Sequence, residues 1–179
     1  MNDLETFSSH QVGRVTRAVS MSEELVSNAY KMSASQWLRR KYDVKTLSEL
    51  APHEIVHGPF AQIIRYEGQK KDSLLGSSAY DFYKICLQDH AILRTVCGMQ
   101  DIRLFPFMLY ILIHELIHIV RFSTFIQQFD AESDEMMNEE RRVHQKTHDI
   151  LRNIQVPDLP AVLNFFEKWR MPLDGLKDS

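Results

Sequence analysis

The feature that most constrains the fold is a strongly apolar segment with polar residues in its middle. The sequence ILIHELIHIV at residues 111–120 encloses His114, Glu115 and His118. A proline in the first turn is typical of a helix start, so we predict a helix over about residues 105–125. Its apolar residues lie on all sides, which predicts a buried helix at the centre of the protein.

The spacing of these polar residues is typical of a metal site. His114 and His118 are four residues apart, so both imidazoles lie on one face of the helix. In H-E-x-x-H motifs the two neutral imidazoles bind zinc, and the glutamate polarises a zinc-bound water. A buried, ionised Glu115 without a partner would be costly. We therefore predict a zinc site with Glu115 as its catalytic residue.

A second H-E-x-x-H motif, HEIVH at His53–His57, is an internal control. A proline precedes it, and Gly58 and Pro59 end it, so no regular helix long enough to hold it can form. We expect a turn or short helix with exposed histidines rather than a metal site. A weaker alternative is that His57 or Glu54 leans into the main site.

A third ligand is expected from a helix predicted at about Asp134–Asn153, because catalytic zinc usually has three protein ligands. On a helical wheel Glu140 lies within the apolar stripe, where a carboxylate needs a partner, and Glu139 lies on the flank. Glu140 is therefore the predicted third ligand. His144 is its predicted partner, the alternative third ligand or a fourth ligand, and Glu139 ranks last. The stripe consists of Met136, Val143, Thr147, Ile150 and Ile154.

The motif and the following NEE at residues 138–140 resemble the gluzincin branch of zinc metallopeptidases, over about residues 105–150. The resemblance implies a zincin-like minimal α+β core and a glutamate ligand on the following helix. It also implies that a residue one turn later hydrogen-bonds a ligand histidine. Alignment by the Asn-Glu pair makes Glu139 the ligand. Alignment by the family's Glu-x-x-x-Asp pair makes Glu140 the ligand and places His144 where the family has Asp.

Two parts of the family's site have no clear counterpart in the sequence. The sequence predicts no sheet upstream of the motif whose edge would hold a peptide substrate. Tyr110 and His148 are the two candidates for the group that stabilises the transition-state oxyanion. The resemblance therefore supports a zinc site more strongly than it supports proteolysis.

The remaining elements predict a mainly α fold of five or six helices with at most a small β element. A first helix is predicted to start at Ser22, and a later one, capped by Ser78, to run over about Ala79–Cys97. FAQIIRYEG, residues 60–68, is the best strand candidate because of its β-branched and aromatic residues. Pro160 opens a short last helix.

The predicted organisation is one metal-binding helical domain. Residues 1–20 are polar and aperiodic, so they are expected to be loosely ordered. Residues 21–172 form the domain, and residues 173–179 form a tail. A chain of 179 residues with 44% hydrophobic composition is long enough for one domain with a real core.

Charge and cysteine content predict a cytoplasmic protein. The net charge of −3, from 21 basic and 24 acidic residues, does not favour binding to nucleic acid or to an anionic membrane. The N-terminus lacks the apolar core of a signal peptide, and the apolar run before the motif is judged too short to span a bilayer. Two cysteines without a C-x-x-C pattern suit a reducing compartment.

These observations favour a zinc-dependent, metallopeptidase-like hydrolase that acts on a peptide or small amide. A metal-activated water would attack a carbonyl, and Glu115 would pass its proton to the leaving amine. One alternative is a non-haem iron or di-iron helical protein, since Glu115 and His118 also form Glu-x-x-His, although Glu140 and His144 are spaced by one residue more. The other is a non-catalytic metal sensor or interaction domain.

Overall fold

The computed structural model describes residues 3–33, 36, 42–69, 79–124 and 132–170. Within these ranges the chain is mainly α-helical with one small sheet, which confirms the predicted fold class. The helices are α1 (Ser9–Ala29), α2 (Asp89–Gly98), α3 (Leu104–Ser123), α4 (Ser133–Leu151) and α5 (Leu159–Phe165), and the strands are β1 (Tyr42–Lys45), β2 (Ala61–Gln69) and β3 (Ala79–Leu87).

Helix α3 is the centre of the fold, as its all-round apolar sequence predicts. It is buried along nearly its whole length and contacts α1, α2, α4, α5 and β2. By length and composition it is the one helix in the described ranges that is apolar enough to cross a membrane, a criterion that the buried core helix of a soluble protein also meets, so the expectation that this segment does not span a bilayer stays a prediction. However, 83% of the most apolar part of this helix is buried inside the protein, and such burial accounts for the apolar composition equally well.

The sheet has three strands in the order β1-β3-β2 and packs on one side of α3. Strand β1 runs parallel to β3, with Tyr42 opposite Tyr83, and β2 runs antiparallel to β3, with Ala61 opposite Leu87. Because β3 is central, β2 lies at an edge of the described sheet. The predicted strand at residues 60–68 corresponds to β2 and is confirmed.

The predicted helix over Ala79–Cys97 is wrong in its first half. Residues 79–87 form strand β3, and the helix begins only at Asp89. The signal for a strand is the alternation of Tyr83, Ile85 and Leu87, whose side chains are buried in the core. The capping-box spacing had suggested a helix instead, although its first residue lies outside the described residues.

The expectation of a loosely ordered N-terminus is also wrong, because α1 begins at Ser9 rather than at Ser22. Ser8 and Gln11 form a reciprocal capping box, in which the Ser8 hydroxyl accepts from the Gln11 amide and the Gln11 side chain accepts from the Ser8 amide. Ser22, the predicted start, lies buried within the helix. A polar sequence with few apolar residues still forms a helix here because its apolar face packs on α3.

The predictions for the C-terminal half agree closely with the structure. Helices α3 and α4 begin and end within two residues of their predicted limits. The short last helix is α5, followed by a 3-10 turn at Glu167–Arg170. The predicted tail, residues 173–179, lies outside the described residues.

Candidate metal centre

His114 and His118 lie one turn apart on the most buried stretch of α3. Their side chains are only 10% and 6% exposed, and their Nε2 atoms are 3.2 Å apart. The continuous α3 helix sets this separation, because packing on several sides fixes its backbone. The prediction that both imidazoles share one buried face is confirmed.

Glu140 on α4 reaches both imidazoles across the helix interface. Its Oε2 lies 3.1 Å from Nε2 of His114, and its Oε1 lies 2.9 Å from Nε2 of His118. Within the described residues, these three side chains are the one group of three or more potential ligands whose donor atoms converge. The structure therefore brings together the two predicted histidines and the preferred third ligand.

The spacing of the three donor atoms suits a metal ion. Zinc in tetrahedral coordination, with bonds of about 2.0–2.2 Å, holds its ligand atoms roughly 3.3–3.6 Å apart. Without an ion, two imidazoles that both donated from Nε2 to Glu140 would bring two N–H groups face to face at 3.2 Å. A shared cation would satisfy all three lone pairs together. The set of two histidines and one carboxylate could thus hold a metal ion.

The electrostatics of the two carboxylates near the histidines differ. Burial raises the pKa of Glu140, but hydrogen bonds from His114 and His118 outweigh burial and hold the pKa far below its usual range. Burial raises the pKa of Glu115, while the nearby His114 and His118 oppose that rise. Glu115 makes no hydrogen bond to any described residue. Glu140 is therefore a strong ionic acceptor, and Glu115 is a more basic carboxylate without a hydrogen-bond partner in the described part of the chain.

One feature of a typical zinc site is missing from His114. Its Nδ1 is buried and has no hydrogen-bond partner among the described residues. Histidines that bind a metal usually donate this second N–H to an acceptor, which orients the ring and raises its basicity. The orientation of His114 therefore depends on packing, including contact with the ring of His144 at a centroid distance of 4.2 Å.

His144, predicted as partner or ligand, borders the three converging donors without joining them. Its Nε2 lies 4.0 Å from Oε2 of Glu140, and its Nδ1 lies 2.8 Å from the Tyr110 hydroxyl. Burial lowers the pKa of His144 to about 3, so the ring is neutral near pH 7. Burial also raises the pKa of Tyr110, which keeps the phenol protonated.

Glu139, the last-ranked candidate ligand, does not belong to the group of converging donor atoms. It is buried and forms ion pairs with Arg121 of α3 and, at 3.4 Å, with Arg142. The apolar stripe predicted for α4 is therefore rotated relative to the face that is actually buried. Glu139 is buried, whereas Met136 is 47% exposed. A wheel built from apolar residues could not include Glu139, because its burial depends on the arginine of another helix.

The candidate site opens into a cavity of about 760 Å³. This volume lies in the range of small-molecule and substrate pockets. Glu115, Glu140 and His144 all line it, together with Met136. The segment from Gly58 to Ile63, which leads into edge strand β2, also lines the cavity, and aromatic side chains complete the lining: Tyr110, Phe122, Phe166 and Trp169.

Sequence reasoning missed two parts of this site. The first is the hydrogen bond between Tyr110 and His144, for which a signal existed because Tyr110 lies one turn before His114 on the same helix face. The second is the wall formed by β2, whose approach to α3 is a tertiary contact without a local signal. His148, a guess for the oxyanion group, is not among the residues that line the cavity.

The second H-E-x-x-H motif contributes to no group of converging metal-ligand atoms among the residues that the structure describes. Pro52–Glu54 is a 3-10 turn, and His53 and His57 are exposed, as expected. Glu54 is buried and accepts from Lys84 Nζ at 2.7 Å, from the Tyr66 hydroxyl at 2.6 Å and from the Ala51 amide at 2.9 Å. Neither Glu54 nor His57 lines the cavity, so the alternative that one of them leans into the main site is not supported.

Comparisons of the chain with protein-family models, with curated proteins and with solved structures find no match. The resemblance to gluzincins therefore remains a prediction from the motif. What the chain does has to be argued from the geometry of the His114, His118 and Glu140 group and its cavity.

Proposed function

We propose that this chain is a zinc-dependent hydrolase that cleaves peptide or small amide bonds. The observation that carries the proposal is the convergence of His114, His118 and Glu140 beside Glu115 on the wall of an open cavity. Such a site supplies both a metal position and a free carboxylate base, which are the two requirements of metal-assisted hydrolysis.

In this proposal each residue has a distinct task. His114, His118 and Glu140 would hold the zinc ion, whose chemistry when bound would be to polarise the substrate carbonyl and to lower the pKa of water. Glu115 removes a proton from the attacking water and returns it to the nitrogen of the leaving amine. Its raised pKa suits this task, because a more basic carboxylate accepts a proton more readily near neutral pH.

The part of the cavity lining that comes from β2 and the residues before it supports a peptide-like substrate. The segment from Gly58 to Ile63 leads into β2, which is at an edge of the described sheet. An extended chain can hydrogen-bond to such an edge and place its side chains in neighbouring pockets. The aromatic and apolar lining around Phe166 and Trp169 suits apolar side chains or an apolar acyl group.

Iron is the main competitor for the metal position. Two histidines and one carboxylate also suit mononuclear non-haem iron. Zinc is favoured because divalent zinc binds nitrogen and oxygen ligands more tightly than ferrous iron does. A carboxylate-bridged di-iron site needs several bridging carboxylates, whereas Glu140 is the one carboxylate that joins the two histidines in the described part of the chain.

The test combines metal analysis with one conservative variant. Purified protein should contain about one zinc ion per chain by elemental mass spectrometry and should cleave casein or a peptide library. Glu115→Gln should keep the zinc and lose hydrolysis by about 100-fold or more, since general base catalysis contributes 10²–10⁴-fold. The matched control is Glu135→Gln, an exposed position on α4 that should behave as wild type.

Three outcomes would contradict the proposal. Hydrolysis that survives Glu115→Gln would rule out the base. Two bound irons per chain would favour the di-iron alternative. Absence of metal binding, with unchanged folding in His114→Ala, would favour a non-catalytic protein.

A further inference from the structure

Tyr110 is a buried tyrosine whose hydroxyl has a single hydrogen-bond partner. The residue is 1% exposed, and its oxygen lies 2.8 Å from Nδ1 of His144. Among the described residues no other group hydrogen-bonds to this hydroxyl. The direction of this one hydrogen bond therefore decides which nitrogen of His144 carries the proton.

The tyrosine must be the donor. If Nδ1 of His144 carried the proton, the phenolic oxygen would accept it, and the phenol's own proton would be buried without an acceptor. Leaving a buried donor unsatisfied is the costlier arrangement, because the donor has lost its hydrogen bond to water and gained none. Tyr110 therefore donates to Nδ1, and the neutral imidazole carries its proton on Nε2.

This tautomer gives His144 a defined role at the site. Its Nε2 is on the side of Glu140, 4.0 Å from Oε2, and the residue lines the cavity. The ring cannot easily turn, because it stacks on Phe166 and on Trp169 at centroid distances of 5.9 and 6.0 Å. A nitrogen that carries a proton cannot bind a metal, so this arrangement also argues against His144 as a third or fourth ligand.

We propose that His144 donates its Nε2–H to the substrate's carbonyl oxygen as that oxygen gains negative charge, and that Tyr110 is the positioning residue that fixes this tautomer. The inference rests on the proposed hydrolase function. The water oxygen bonds to the carbonyl carbon, the carbon–nitrogen bond breaks, and Glu115 carries the proton from the water to the leaving nitrogen. His144 keeps its proton throughout and stabilises charge, as donors in oxyanion holes do.

The tautomer can be measured without any activity assay. In zinc-loaded, ¹⁵N-labelled protein, long-range ¹H–¹⁵N correlation spectra distinguish the two neutral forms of histidine, and the His144 signals are those absent from His144→Gln. The wild type should show the Nε2–H form. Tyr110→Phe, which removes only the hydroxyl, should lose that single form. A wild-type spectrum with the proton on Nδ1 would overturn the inference.

Kinetics on the same zinc-loaded variants test the catalytic part. Tyr110→Phe should lower kcat by about 10-fold or more, with KM and zinc content unchanged, and His144→Leu should lower kcat by about 100- to 1,000-fold, as loss of an oxyanion donor does. His144→Gln can still donate from its amide and should retain more activity than His144→Leu. Tyr66→Phe removes a partly buried, hydrogen-bonded hydroxyl from a residue that does not line the cavity, and it is the matched control.

The remaining outcomes separate this inference from the function on which it rests. Loss of zinc in the His144 variants would make His144 a ligand and overturn the inference alone. An unchanged kcat in Tyr110→Phe would also overturn it alone. A wild type without Glu115-dependent hydrolysis would overturn both the function and the oxyanion role.

Discussion

The two H-E-x-x-H motifs of this chain have the same pattern and different environments. The motif at residues 114–118 lies on a long buried helix, and a glutamate from α4 meets both imidazoles. The motif at residues 53–57 starts in a 3-10 turn between prolines, and both of its histidines are exposed. What distinguishes them is therefore the backbone that holds the imidazoles and the presence of a third donor.

The two central glutamates show the same contrast in chemical terms. Glu54 accepts three hydrogen bonds, of which that from Lys84 contributes most to lowering its pKa to about 2. Glu115 has no hydrogen-bond partner among the described residues, and burial raises its pKa. A carboxylate with a very low pKa is a poor proton acceptor near neutral pH. Glu115 thus has the properties of a base, and Glu54 those of a structural acceptor.

The largest difference between the two motifs is expected in their contribution to zinc affinity. His118→Ala should weaken zinc binding by about 1,000-fold or more, since loss of even an outer-shell partner costs about 10–100-fold. The matched change in the other motif, His57→Ala, should leave the affinity within about twofold of wild type. Competition with a chromophoric chelator measures both. Comparable losses of affinity in the two variants would mean that both motifs contribute to metal binding, which would contradict the expected difference between the two motifs.

The second prediction concerns stability, to which the motif at residues 53–57 should contribute more than the motif at residues 114–118. Glu54→Ala should lower the free energy of unfolding by about 3 kcal/mol, because it leaves Lys84 and Tyr66 without their acceptor in a mostly buried position. Glu115→Gln should change it by less than about 1 kcal/mol, since no described hydrogen bond is lost.

Urea unfolding with a chelator present measures this difference, because the chelator removes the contribution of bound metal. Glu54→Gln is the intermediate control, since its amide oxygen can still accept from Tyr66. A Glu54→Ala protein as stable as wild type would show that the network around Glu54 contributes nothing net.

How far the sequence predicts this molecule depends on whether the signal is local. The two long helices and the shared face of His114 and His118 were predictable because helical periodicity places them within single elements, whereas the stripe that selected Glu140 was rotated and the Glu140 side chain is 50% exposed. Strand β3 was missed because a capping-box spacing competed with alternation of Tyr83, Ile85 and Leu87. The start of α1 was missed because its stability comes from packing on α3.

The same distinction applies within the site. The exclusion of Glu139 depends on Arg121, a residue of another helix, and no wheel drawn for α4 alone can show it. The tautomer of His144 likewise depends on Tyr110 of α3. A sequence therefore predicts which residues could serve as ligands, whereas the tertiary contacts decide which of these side chains converge.

The third prediction concerns pH and the low pKa of Glu54. A carboxylate whose pKa is lower in the folded state stabilises the fold above its unfolded pKa, and this stabilisation is lost as pH falls. For Glu54 the loss should occur from about pH 4.5, its ordinary pKa, down to about 2. The stability advantage of wild type over Glu54→Gln should therefore shrink over this range in chelator-treated protein. An advantage that stays constant from pH 6 to 3 would show that Glu54 is not specially stabilised as an ion.

The smallest effect is expected at His53, the residue that corresponds to His114. Its side chain is 68% exposed, its Nε2 lies 3.1 Å from the Tyr66 hydroxyl and 4.0 Å from Glu54 Oε1, and water can replace both contacts. His53→Ala should therefore change the free energy of unfolding by no more than about 0.5 kcal/mol. Zinc affinity should not change, because His53 does not line the cavity. His53 and His114 hold the same position in the two H-E-x-x-H motifs. A measurable fall in zinc affinity in His53→Ala would therefore mean that the motif itself determines metal binding, rather than the buried helix and its glutamate partner.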